Sequence, residues 1–239
     1  PHFEVFFEEI ENVLVIDVFE GTQKPYSVNG KFYCRQGPIC QQLDRNEIRG
    51  FFQKEGLILF DEKPNPDFDI GKDIDKQAFD NFIKRAKISP VIGAEQLLGN
   101  MLLMDSGRLR NAGVLLFCRD VASFFRNASI MCALFQGSDK YKILDSKEFS
   151  SDIYSNYENA FTYVESKLNT EYIIKAQRTE RLELPPEAPR EAILNAIAHR
   201  NYFSSALIQI HIFADRVEIT NPGGLVPGMK VSDFGKKSV

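Results

Sequence analysis

The sequence has no tryptophan, only three histidines and only four cysteines in 239 residues. It has no apolar run near the roughly 18 residues that a membrane span needs, so no spanning segment is expected. No charged-then-apolar leader with a small-residue cleavage site stands at its start. Charge of one sign is also lacking: 29 basic residues face 33 acidic ones, for a net charge of −4. Global electrostatics therefore gives no reason to expect attraction to a polyanion, and any nucleic-acid surface must be a local basic patch. The cysteines, Cys34, Cys40, Cys118 and Cys132, have neither zinc-type spacing nor a neighbouring histidine. They read as reduced thiols of a cytoplasmic protein, with Cys118 and Cys132 in apolar, strand-like runs. A phosphate loop of the Gly-x-x-x-x-Gly-Lys-Ser/Thr kind is missing too, which argues against a helicase motor in this chain.

What is present is ordinary for a globular chain: 44% hydrophobic and 26% charged residues. Its length suffices for two compact units or one large one. Mixed helix and strand patterns point to an α+β fold in three sections, 1–62, 71–184 and 185–239.

In the first section, 12–20 is a continuous apolar strand. Asn29-Gly30 between two strand-like runs is a type I′ hairpin signal. Asp44 and Glu47 form a capping box that opens a helix over 44–56, with Gly56 as its stop. The polar, two-proline stretch 61–69 reads as a linker. In the second section, 75–87 and 93–104 carry helical periodicity. The segment 105–118 turns at Ser106-Gly107 and is expected to run into a strand. A further strand is expected over 128–137. Over 151–169, Ile153, Tyr157, Ala160, Phe161 and Val164 form one side of a long amphipathic helix.

The third section holds "PREAILNAIAHRNY", 189–202. Glu191, Asn195 and His199 recur every fourth residue, one stripe of a helix. Ile193, Leu194 and Ile197 are expected on the opposite, core-facing side. Ala188, Ala192, Ala196 and Ala198 flank the stripe and leave room for a ligand. Solvated polar stripes are common, so spacing alone does not make this a site. A hairpin follows over 206–225, with Ile208, Ile210 and Ile212 on its buried face. His211, which shares a face with Gln209, is expected to be exposed. The hairpin ends in Asn221-Pro222-Gly223-Gly224.

"REAILNAIAHRNY", the strand pair and "VEITNPGGL" together resemble the start of a GHKL-type ATPase domain. The subgroup resembled occurs in bacterial transcriptional regulators and RecG-related ATP-dependent helicase-like proteins. The resemblance implies bound ATP and Mg²⁺. Asn195 would help hold the metal, and Glu191 would polarise the attacking water. His199 and Arg200 match a His-Arg pair of the subgroup. Asn221, Gly223 and Gly224 stand where the superfamily has an Asp-x-Gly-x-Gly box, with Asn221 or Thr220 in place of the adenine-binding Asp. The chemistry agrees: an amide oxygen suits Mg²⁺, and a carboxylate one turn away can act on water.

"KPYSVNGKFYCRQGPICQQLDRNEI" is similar to the later half of a Schlafen AlbA-type domain, through Tyr33, Arg35 and Gly37. That resemblance implies DNA binding, for which Arg35, Arg45, Arg49 and Lys54 are the candidate contacts. "GRLRNAGVLLF" resembles the segment that joins the two domains in such proteins. The expected function is ATP-linked, DNA-associated transcriptional regulation, with a homo-oligomer possible. The alternatives are an ATP-dependent helicase-like enzyme, a nuclease, or a scaffold that has lost nucleotide use. The chain starts without methionine and stops just after the working segment. It is expected to be a piece of a longer protein, with little ATP binding by itself.

Overall fold

The computed structural model describes residues 5–10, 13–19, 25–88, 92–168, 170–174, 178–182 and 184–224. It is an α+β structure whose contacts divide it into two units, Pro1–Leu59 and Phe60–Val239.

In the first unit, β1 (Val5–Ile10) pairs antiparallel with β2 (Val13–Val18). A second, three-stranded sheet holds β3 (Ser27–Val28), β4 (Lys31–Gln36) and β5 (Ile39–Gln42) in sequence order. Asn29 and Gly30 both take positive φ, +52° and +72°, as a type I′ turn demands. Helix α1 (Arg45–Lys54) opens with the capping box: Asp44 Oδ1 accepts from the amides of Asn46 and Glu47, and Glu47 Oε2 accepts from the Asp44 amide at 2.7 Å. Phe32 of β4 meets Phe52 of α1 edge to face, with ring centroids 6.0 Å apart. No described side chain of this unit is buried.

The second unit begins with α2 (Ile70–Asp73), α3 (Lys76–Arg85) and α4 (Ala94–Asn100), followed by the short hairpin β6 (Met104–Asp105) and β7 (Arg108–Leu109). Then come α5 (Asn111–Phe117), α6 (Val121–Phe124), β8 (Ile130–Phe135), β9 (Ile143–Phe149) and α7 (Ile153–Lys167). The pair β10 (Thr170–Ile174) and β11 (Arg178–Leu182) precedes α8 (Glu187–Ala198), β12 (Ile208–Ile212) and β13 (Val217–Thr220).

Two of the sequence expectations change here. Residues 111–117 form a helix, not the continuation of a strand. Five of its seven residues are buried, so it is apolar on nearly every side and shows no amphipathic period. Cys118 accordingly sits just past a helix. Gly113 is required within it, because a Cβ there would stand 2.7 Å from the Leu109 side chain. Residues 61–69 are not a free linker either. Asn65 is buried and donates to Asn111 Oδ1 at 3.1 Å, Asn111 Nδ2 donates to the Phe60 carbonyl, and Phe68 joins a core with Phe79, Leu98, Leu115 and Phe117.

The site rests on a second core. A four-stranded sheet runs β13-β12-β8-β9, with β12 parallel to β8 and the other pairs antiparallel. Helices α7 and α8 cover it. Ala160, Tyr163 and Val164 of α7 and Ile193, Ala196 and Ile197 of α8 pack with Ile130, Cys132, Ile208, Ile210 and Ile212. The opposite sheet face carries a smaller apolar group, Ala133, Phe135 and Phe213. His211 stands edge-on to both rings and is 9% exposed. The expectation of an exposed His211 is therefore corrected: aromatics cover this face of the sheet as well.

Candidate functional site

Helix α8 is fixed by its apolar side. Ile193 is fully buried and Ile197 and Pro189 nearly so, while Glu191, Asn195 and His199 are exposed. Ala188, Ala192 and Ala198 flank that stripe in the open, but Ala196 turns into the core and Leu194, expected there, is 42% exposed. Asn195 Nδ2 donates to Glu191 Oε1 at 3.0 Å. A carboxylate accepts only from the NH₂ end of the amide, so the contact assigns the flip of Asn195. The amide oxygen takes no hydrogen bond among the described residues and remains available to a cation. His199 is the helix C-cap, its amide donating to the Asn195 carbonyl at 3.0 Å.

The turn after β13 comes back to this end of α8. The Asn201 amide donates to the Pro222 carbonyl at 2.7 Å. Gly223 has φ +147°, and a Cβ there would lie 3.4 Å from the Asn201 nitrogen and 3.6 Å from the His199 carbonyl oxygen. Those are ordinary van der Waals distances, so it is the positive φ that favours glycine here. Asn221 Oδ1 is buried and has no hydrogen-bond partner among the described residues. Glu191, Asn195 and His199 lie along α8, and Asn221, Gly223 and Gly224 lie on a turn held to its C-terminal end. Lys230, Lys236 and Lys237 fall outside the described residues.

Residues 206–239 match a family model described as "Putative ATP-dependent DNA helicase recG C-terminal". That segment takes in β12, β13 and the 221–224 turn, and it supports a relation to ATPase and helicase-related proteins. Among solved structures the chain is similar to the DIP2311 protein from Corynebacterium diphtheriae, with a TM-score of 0.60 and 18% sequence identity over 97% of this chain and 47% of that one. This likeness is one of fold. The chain spans about half the length of that solved structure (47%). No curated protein matches it.

The donor set fits a nucleotide–magnesium group. Magnesium prefers hard oxygen ligands and, when phosphates supply most of them, needs few from the protein. Asn195 offers an amide oxygen, Glu191 an adjacent carboxylate, and Asn221 a buried acceptor with no partner among the described residues. Among the described residues, no three His, Cys, Asp or Glu side chains converge as a self-sufficient metal cage. No helix among them is long and apolar enough to cross a membrane.

One component stood in the sequence only as half of a His-Arg pair, with no role attached. Arg200, one residue past the helix cap, is only 6% exposed. Its burial pushes the guanidinium below its ordinary pKa, while neighbouring Tyr202 acts in the opposite direction. Burial in turn pushes the Tyr202 phenol up to about 12. The clue was the quoted His-Arg-Asn-Tyr run itself, a cation beside an aromatic directly after an amphipathic helix.

The candidate DNA contacts lie in the first unit. Arg35 Nε donates to the Gly37 carbonyl at 2.9 Å and Nη1 approaches Cys40 Sγ at 3.4 Å, which holds the guanidinium over the β4–β5 turn. Arg45, Arg49 and Lys54 are exposed on α1, and none of the three forms an ion pair among the described residues.

Proposed function

We propose that this chain supplies the opening part of an ATP site in a DNA-associated transcriptional regulator. The carrying observation is the Glu191–Asn195 pair, set beside the 221–224 turn in a region that the ATPase-related family model partly covers. Asn195, whose NH₂ end donates to Glu191, would help hold Mg²⁺ through its amide oxygen. Glu191, held one helical turn away, orients a water and accepts its proton. Bound MgATP supplies the phosphoryl group and the charge-neutralising cation. Asn221 offers its unpaired oxygen to a ligand N–H. Gly223 and Gly224 let backbone approach the ligand, and His199 lines the same end of α8.

The test is a calorimetric titration of ATP, with and without Mg²⁺, into the whole protein and its Asn195→Ala variant. Loss of a metal ligand should weaken the Mg²⁺-dependent affinity about tenfold or more, since even second-shell partners are worth about 10–100-fold. Equal affinities for the two proteins would remove the nucleotide assignment.

The DNA part of the proposal rests on the basic residues of the first unit, Arg35 over the β4–β5 turn and Arg45, Arg49 and Lys54 exposed on α1. With a net charge of −4, only such a local group can gather phosphates. Charge reversal at Arg35 and Arg49 should lower duplex affinity and flatten its dependence on salt. An unchanged salt slope would place the contact surface elsewhere.

A further inference from the structure

Arg200 is a buried cation without a counter-ion among the described residues. Its Nη2 donates to the carbonyls of Ser204, at 3.4 Å, and Ala206. The guanidinium carbon lies 4.9 Å from the centre of the Tyr202 ring. Nε and Nη1 are buried and have no partner among the described residues. Such a group costs stability, because two carbonyls and no carboxylate among the described residues stand in for the lost hydration. An apolar side chain of similar length would fill the space at less cost, so packing alone does not account for an arginine here.

What the arginine holds is a loop. The 201–206 segment is gripped by Arg200 on one side and by Asn127 on the other, whose Nδ2 donates to the carbonyls of Tyr202 and Ser204. Within the loop, the Ser204 amide donates to the Asn201 carbonyl and the Phe203 amide to Asn201 Oδ1, each at 3.0 Å. Tyr202 Oη donates to the Ile197 carbonyl in the last turn of α8 at 3.1 Å. Asn201 is therefore fixed in place, and its amide is the group that bonds the Pro222 carbonyl.

We infer that Arg200 is a positioning residue: by clamping the 201–206 loop, it sets the Asn201 amide that holds the 221–224 turn against the C-terminal end of α8. The inference rests on the nucleotide-site reading above for its consequence in binding, but its structural claim has a separate readout. The chain of action runs from the Arg200 guanidinium through the Ser204 and Ala206 carbonyls to the Asn201 amide, and from there to Pro222 and Gly223.

The experiment compares the whole protein with Arg200→Met and Arg200→Lys by amide hydrogen exchange, thermal melting and MgATP titration. In Arg200→Met, exchange in peptides covering 199–206 and 217–224 should rise about tenfold, with α7 and β8 unchanged. The melting temperature should hold or rise, because a buried unpaired charge has gone. The MgATP affinity should fall by about tenfold, or 1.4 kcal/mol, and Arg200→Lys should recover part of it, since an ammonium still donates to carbonyls. Opposite movement of stability and affinity is not what a merely structural residue would give. Unchanged exchange at the Asn201 and 221–224 amides would overturn the inference, as would a rise spread equally over α7 and β8. Should the Met variant not fold, Arg200→Lys, with its single nitrogen, is read at the same peptides by the same criterion. If the wild-type protein binds no MgATP, the nucleotide reading falls, and the exchange data still decide the positioning claim.

Discussion

Truncating Ile193 to alanine should cost far more than truncating its neighbour Leu194. Ile193 is 0% exposed under α8, and Leu194 is 42% exposed. Removing the buried isoleucine loses transfer free energy and leaves a cavity against Ile210, Cys132 and Val164, which share its core. Changes of this type cost about 2–5 kcal/mol. Alanine returns a few tenths through helix propensity, roughly 0.4 kcal/mol. A net loss of about 2–4 kcal/mol follows. For Leu194 the side chain is partly in water already, and removing it should cost about 1 kcal/mol or less. With no tryptophan to report by fluorescence, urea unfolding is followed by circular dichroism. At a slope of roughly 2–3 kcal/mol per molar urea, the Ile193 variant should lose about 1 M in midpoint. Equal shifts for the two variants would mean that α8 presents a different face to the sheet, and the exposed stripe of Glu191, Asn195 and His199 would be misplaced with it.

Burial pushes the Cys132 thiol up to about 12 and also raises Cys118, while Cys40 is exposed. Alkylation of the native protein near neutral pH, located by mass spectrometry, should mark Cys40 first and leave Cys118 and Cys132 unmodified until denaturant is added; native labelling of Cys132 would contradict the sheet core. His211 is held below its ordinary value of 6.5, first by burial and then by Lys140, with Glu218 opposing. The unfolded chain therefore takes up this proton at higher pH than the native state, so the contribution is present above about 6.5 and is lost as pH falls through the interval below it. Melting temperatures across that interval should fall less steeply for His211→Gln than for the wild type, and parallel curves would refute the assignment.

Much of this architecture was legible where local chemistry decides the outcome. The Asp44–Glu47 capping box, the Asn29-Gly30 turn and the seam of α7 all depend on neighbours in sequence, and each stands where its residues placed it. The Glu191–Asn195–His199 stripe was visible for the same reason, since helical spacing alone puts it on one face. Tertiary context decided the rest. Helix α5 is enclosed, so its Val-Leu-Leu-Phe run carries no period that separates it from a buried strand. Strand β9 is an exposed edge with little apolar alternation and was not read as a strand. His211 is buried because Phe135, from the neighbouring strand β8, and Phe213, two residues on, close over it. Arg200 is buried because the following loop wraps round it, which no spacing rule encodes.

The parallel pairing of β8 with β12 has a consequence for how the chain reaches its native state. Ile130 is in register with Ile208, and α7, β10, β11 and α8 all lie between them in sequence. Closing so long a loop is entropically costly before any ladder bond repays it, so this pairing is expected late in folding. Until it forms, β8 is an edge strand with open backbone groups, and Ile130 and Cys132 lack half of their core. A ribosome-bound chain that has not yet emerged past residue 212 would hold that edge exposed, which makes the interval of synthesis before β12 the period of greatest exposure to mispairing and chaperone capture.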